Sequence, residues 1–128
     1  MKLLLDTNVF LHLAAEPERI SKKVRNSIDD AELVFLSAAS AWEIAIKVSI
    51  GKLELPAPAG EYTRSRMERL QIGPLEITHA HASAVETLVF HHRDPFDRLI
   101  VVQARLEGLL LVTTNNVLAR YGPSLISR

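Results

Sequence analysis

No cysteine occurs in this sequence. That excludes a disulfide framework and any thiolate metal site, and it fits a reducing compartment. Net charge is absent too, since 15 basic residues balance 15 acidic ones. A protein that grips nucleic acid by its overall field is strongly basic, so any such partner must be met here by a local patch. Long apolar runs are missing as well. Leu3-Leu4-Leu5 is cut short by Asp6, which makes it too short for a signal peptide. No other stretch approaches the roughly 20 residues of a membrane span. The expectation is a cytoplasmic protein with no membrane partner.

With 48 % hydrophobic and 23 % charged residues, the chain is not a disordered one. Its 128 residues suffice for one domain, expected over 1–128. Short apolar runs alternate with helical patterns. Strands are expected at Lys2 to Leu5, Leu33 to Leu36, Leu75 to Ile77 after the breaker Gly73-Pro74, Leu109 to Thr113, and Ser124 to Ser127. Between them, Ile20, Val24 and Ile28 form one apolar helical stripe. Ala38 to Ile50 is apolar nearly all round and stops at Gly51. Further helices are expected over Ala59 to Gln71, from a cap at Thr78 through about Val89, and from Asp94-Pro95 to Glu107. Alternation of this kind predicts an α/β fold, a central parallel sheet of four to five strands with helices on both faces. In such folds the site lies beyond the carboxyl ends of the strands.

Three acidic patches fall at that edge: Asp6, Glu43, and the pair Asp94 and Asp97. Each also fits a purely structural role. Asp6 can cap a helix starting at Thr7 or Asn8. Glu43 completes a capping-box pattern with Ser40 and pairs with Lys47 at i+4. Asp94-Pro95-Phe96-Asp97 is what a helix start looks like. If the three patches meet in space, however, their mutual repulsion demands a positive partner, and a divalent cation is the simplest. The sequence leaves both explanations open.

Asp6-Thr7-Asn8, Ser37-x-x-Ser40-x-Trp42-Glu43-Ile44-Ala45, the run from His92 through Asp94-Pro95-Phe96-Asp97-Arg98 to Ala104, and Leu111-Val112-Thr113 together resemble the PIN-domain nucleases. More narrowly, they resemble the VapC-type toxins of prokaryotic toxin–antitoxin pairs. The resemblance covers essentially the whole chain. It implies a PIN-like fold and a metal-dependent endoribonuclease, using Mg²⁺ or Mn²⁺, that is blocked by a cognate antitoxin and forms a homodimer. Asp6, Glu43 and Asp97 match the family's shared acids, here expected to hold the metal. Asp94 matches an extra acid of the subgroup. A fourth acid, two residues after the threonine that closes strand four, is replaced by Asn115, which removes one negative charge from the expected site.

Oxygen donors without sulfur select Mg²⁺ or Mn²⁺ over zinc or copper. Thr7, Asn8, Thr113, Asn115 and Arg98 are the expected supporting residues. Thr113 also fits a strand-end hydroxyl that satisfies backbone groups. Five histidines, including His79-x-His81 and His91-His92, lack the spacing and cysteines of a zinc site; His92 is placed to touch RNA phosphate. Trp42 is expected in the core. Basic helix faces at Arg64, Arg66 and Arg69, and at Arg19, Lys22, Lys23 and Arg25, read as solvated surfaces or as local RNA tracks. A phosphatase that places one aspartate after strand one and another two residues later is excluded by Asn8. A receiver domain is disfavoured, since no lysine follows Thr113 or Ile126. The rival from another class is a catalytically silent interaction module whose acids are only helix caps.

Overall fold

Leu3, Leu4 and Leu5 are completely enclosed, and three consecutive buried leucines require cover on both sides of a strand. β1 (Lys2–Leu5) accordingly lies at the centre of a five-stranded sheet of order β3-β2-β1-β4-β5. The computed structural model describes residues 1–127. Its other strands are β2 (Leu33–Ser37), β3 (Gly73–Leu75), β4 (Leu110–Thr113) and β5 (Ser124–Ile126). Every pairing is parallel, as the continuous apolar runs predict.

Helices cover both faces. Leu3 and Leu5 join Val9, Phe10, Val24, Ile28, Ile44 and Val112 in one apolar layer. The residue between them, Leu4, joins Leu88, Ile100, Val101, Leu111 and Leu118 in the other, as the period-two alternation of a strand requires. The first layer is built by α1 (Thr7–Ala15), α2 (Lys22–Asp30), α3 (Ala38–Ser49) and α4 (Ala59–Leu70). The second is built mainly by α5 (His79–Ala84) and α6 (Pro95–Glu107). Burying each such leucine or isoleucine contributes about 1.5–3 kcal/mol, so β1 is the most firmly held strand of the sheet.

Several local expectations are corrected. The third strand begins at Gly73 rather than Leu75 and runs through Pro74. Proline is tolerated there because β3 is an edge strand bonded only to β2. The helix capped by Thr78 stops at Ala84, and a 3-10 turn at Val85–Thr87 follows it. Beyond that turn the chain is drawn out by the guanidinium of Arg98, which donates to the carbonyls of Val85, Leu88, Val89 and His92. The cap of α3 is Ser37, whose Oγ accepts from the Ala39 amide at 3.0 Å. Ser40 therefore lies inside the helix, and its capping box with Glu43 does not form. Trp42 is not core: it is 60 % exposed and meets Phe96 edge-on, with ring centroids 5.3 Å apart.

Candidate active site

The carboxyl ends of β1, β2 and β4 point to one sheet edge, and each hands the chain to an element that starts with a polar residue. After β1, the Asp6 amide still pairs with the Val112 carbonyl at 2.9 Å, so the sheet fixes the backbone of the first acid. Its side chain is 4 % exposed. Oδ1 accepts the Val9 amide at 2.7 Å and caps α1. Oδ2 accepts the Thr113 hydroxyl and the Thr114 amide, the latter at 3.2 Å. Thr113 is thus a strand-end hydroxyl that donates to Asp6 and accepts the Asn115 amide at 3.0 Å, so it satisfies a backbone group and touches an acid of the cleft.

Glu43 reaches the same place from α3. Its Oε1 accepts the Thr7 hydroxyl at 2.6 Å, and its Oε2 lies 3.3 Å from the Lys47 ammonium. Asp94 caps α6 through Oδ1, which accepts the amides of Phe96 and Asp97 at 2.9 and 3.1 Å. Asp97, in the first turn of α6, has Oδ2 at 2.8 Å from Nε2 of His92. These segments, 91 residues apart in sequence between Asp6 and Asp97, meet in one cleft of about 150 Å³. Asp6, Thr7, Asn8, Glu43, Lys47, Asp94, Asp97, Thr114 and Asn115 line it.

The convergence carries an electrostatic signature. Burial pushes the Asp6 carboxyl above its ordinary range and the Glu43 charge adds to this, against the bonds from Thr113, Val9 and Thr114. Asp97 is pushed up to about 6, first by desolvation and then by the neighbouring charge of Asp94; His92 pulls the other way. Carboxylates held at a disadvantage in their charged form are ones whose ionisation a nearby cation would favour. The donor set is all hard oxygen apart from His92, whose ring nitrogen joins Asp94 and Asp97 in a group with ligand atoms within 4.8 Å of one another. This set suits a hard divalent cation and offers no thiolate.

Most residues expected at the site are gathered there, with exceptions. Arg98 does not face the cleft. It is 4 % exposed and holds the loop ahead of α6 by its carbonyls, with the Phe90 ring centroid 3.9 Å from its guanidinium carbon. Asn115 lines the cleft, yet its Oδ1 accepts the Val117 amide at 3.0 Å and caps a 3-10 helix at Asn116–Tyr121. His92 holds Asp97 rather than standing free for a phosphate. Lys47 and the Thr114 amide were absent from the expected set. The i+4 spacing from Glu43 was the signal for Lys47; for Thr114 there was none, because its contribution is a backbone N–H. Tyr121 was also missed. Its hydroxyl accepts the amides of His91 and His92, each at 3.0 Å, and so sets where His92 sits.

Among the described residues no helix is long and apolar enough to cross a membrane. The PIN domain profile matches residues 3–122. Ribonuclease VapC16 of Mycobacterium tuberculosis is 47 % identical over 68 residues, a match that spans 53 % of this chain and 44 % of that protein. Ribonuclease VapC22 of the same organism is 30 % identical over 111 residues, 87 % of this chain and 85 % of that protein. Among solved structures, VapBC2 from Rickettsia felis, bound to a DNA fragment from its promoter, superposes with a TM-score of 0.67 at 15 % identity. That match covers 98 % of this chain and 97 % of the other. FitAB bound to a DNA fragment superposes with a TM-score of 0.64 at 22 % identity, covering 98 % and 94 %. Matched along nearly its whole length and built on the same fold, the chain belongs to the PIN-domain family, among its VapC-type members.

Proposed function

We propose that this protein is a divalent-metal-dependent endoribonuclease, a VapC-like toxin acting as a single unit over 1–128 in the cytoplasm and silenced by a cognate antitoxin. One observation carries the reading: four carboxylates from three distant segments share a cleft of about 150 Å³, where burial disfavours the charged forms of Asp6 and Asp97. The ribonuclease names of the two relatives supply the substrate class, and the VapBC2 and FitAB assemblies supply the partner class. A homodimer and either Mg²⁺ or Mn²⁺ belong to the same proposal.

Asp6 and Asp97 would hold the ion directly, with Glu43 as a third ligand or as the group that orients water. A bound divalent cation neutralises charge on the phosphodiester and lowers the pKa of a water at the site. The chain's own residues do the positioning. Thr113 and the Thr114 amide hold Asp6, Thr7 holds Glu43, and His92 holds Asp97, so each acid is oriented by a neighbour. Asp94 holds the α6 amides with Oδ1 and also lines the cleft, where it would be an additional acceptor.

A second reading, a silent module binding RNA or protein, is favoured by Asn115, which lacks the expected charge and already serves as a cap. An unstructured fluorogenic RNA incubated with Mg²⁺, Mn²⁺ or EDTA separates the two. Cleavage that EDTA abolishes supports the nuclease; intact RNA at high protein concentration with either metal refutes it.

A further inference from the structure

A polyanion entering this cleft meets Asp6, Glu43, Asp94 and Asp97 and a single cation, Lys47. Five backbone amides in and around it are already engaged by the protein itself. The Val9 and Thr114 amides go to Asp6, the Asn115 amide to Thr113, and the Phe96 and Asp97 amides to Asp94. The start of α6, of the kind that elsewhere receives phosphate, is here occupied by Asp94, and at the start of α1 the Val9 amide is taken by Asp6. Asn8 and the Asn115 amide group are uncharged. The positive charge in the lining is the Lys47 ammonium, which has three N–H donors and one partner, Glu43 Oε2 at 3.3 Å.

The geometry of that pair is not that of an ordinary surface bridge. The Glu43 side chain is 12 % exposed and its other oxygen is bound by Thr7, whereas Lys47 is 36 % exposed and opens toward solvent. Glu43 stays in place without Lys47, because Thr7 holds it. Lys47, on a flexible four-carbon stem, is free to exchange a carboxylate for a phosphate oxygen.

We propose that Lys47 binds a phosphate of the RNA strand beside the scissile bond, its ammonium transferring from Glu43 to a phosphate oxygen as substrate enters; the assignment rests on the nuclease reading above. It makes Lys47 the local positive charge that a neutral protein needs in order to admit a polyanion. It also predicts that the resting Lys47–Glu43 bridge and RNA binding are mutually exclusive.

The test compares wild type, Lys47→Met and Lys47→Arg, with Lys47→Gln in reserve should the methionine variant fail to fold. Affinity for a fluorescein-labelled, unstructured RNA is read by anisotropy in Ca²⁺ at several KCl concentrations, and initial rates are read in Mg²⁺. Losing one charge-assisted contact should weaken Kd and KM about tenfold, with kcat changed by less than about twofold. The slope of log Kd against log salt should fall by about 0.7, the single-strand value for one phosphate. Arginine should restore most of the affinity. A role confined to helix stability would move the melting temperature and leave the salt slope alone. Wild-type Kd and slope in the methionine variant, or a loss in kcat with KM unchanged, overturns the assignment while leaving the nuclease reading intact. If wild type neither binds nor cuts RNA, both fall.

Discussion

Replacing Asp97 by asparagine should stabilise the metal-free protein, and the size of the gain can be worked from the site. The ordinary carboxyl value of 3.8 is raised to about 6 by desolvation and by Asp94. A folded-state pKa above the unfolded one means that the native protein prefers the proton, so ionisation opposes folding. The penalty is absent below about pH 4, grows between about pH 4 and pH 6, and is complete above that. Two pKa units correspond to about 3 kcal/mol before screening by the solvent that reaches this half-buried group, and roughly 1–2 kcal/mol after it. Loss of a favourable first-turn charge on α6 takes back about 0.5 kcal/mol. The expected net gain for Asp97→Asn at pH 7.5 is therefore about 1 kcal/mol, or a few degrees in melting temperature for a chain of this size. At pH 4 the gain should vanish.

The assay is thermal unfolding in EDTA at pH 4, 6 and 7.5, repeated with Mg²⁺ or Mn²⁺. Wild type should be raised by metal, by about 2.7 kcal/mol at a concentration one hundred times Kd, and the variant by far less. The order of stability then inverts: the variant is ahead without metal and behind with it. A variant that is less stable than wild type at pH 7.5 in EDTA, or equally shifted at both pH extremes, would refute the idea that these charges are held together against their own repulsion.

Asp6→Asn should abolish cleavage with a metal-free melting temperature unchanged or raised, because an asparagine oxygen still caps α1 at Val9; a large fall in stability with activity retained would return Asp6 to a purely structural role. Asn115→Asp should tighten Mg²⁺ binding by calorimetry, since a carboxylate keeps the cap on Val117 and adds a charge at the cleft; an unchanged titration would remove position 115 from the site. Arg98→Met should lower stability by about 2 kcal/mol or more, leaving the buried carbonyl of Leu88 and the part-buried ones of Val85 and Val89 without their donor; chemical denaturation measures it, and a loss below about 0.5 kcal/mol would show that the loop is held by other means.

The large pattern of the fold was readable because it rests on periodicity and punctuation. Three leucines ended by an acid, an apolar helix ended by Gly51, and Asp-Pro opening the last long helix are local signals, and each is found where it was expected. The errors have a common physical origin in tertiary contacts. Thr78 does start a helix, but it stops five residues before Val89 because a side chain from α6 holds the intervening carbonyls. Pro74 reads as a breaker until it is known that its strand lies at an edge. Trp42 has the composition of a core residue, yet α3 turns Ile44 inward and leaves position 42 facing out. At the site, the acids were legible because carboxylates flanked by apolar residues are conspicuous. The Thr114 amide and the Tyr121 hydroxyl were not, since their contribution lies in position rather than in residue type.

Capping and ion binding were set against each other as explanations for these acids, and the geometry removes the opposition. A carboxylate has two oxygens and about four acceptor sites. Asp94 caps α6 with Oδ1 and still lines the cleft, while Asp6 caps α1 with Oδ1 and meets Thr113 and Thr114 with Oδ2. The cap orients the group, and the helix dipole offsets part of the cost of gathering like charges in a half-dry pocket. Helix starts at the carboxyl edge of a parallel sheet are thus where several anions can be brought together and still be individually tolerable. The same engagement takes up several of the amides that would otherwise receive a phosphate, and the charge that offsets four acids for an incoming polyanion is that of a side chain, Lys47.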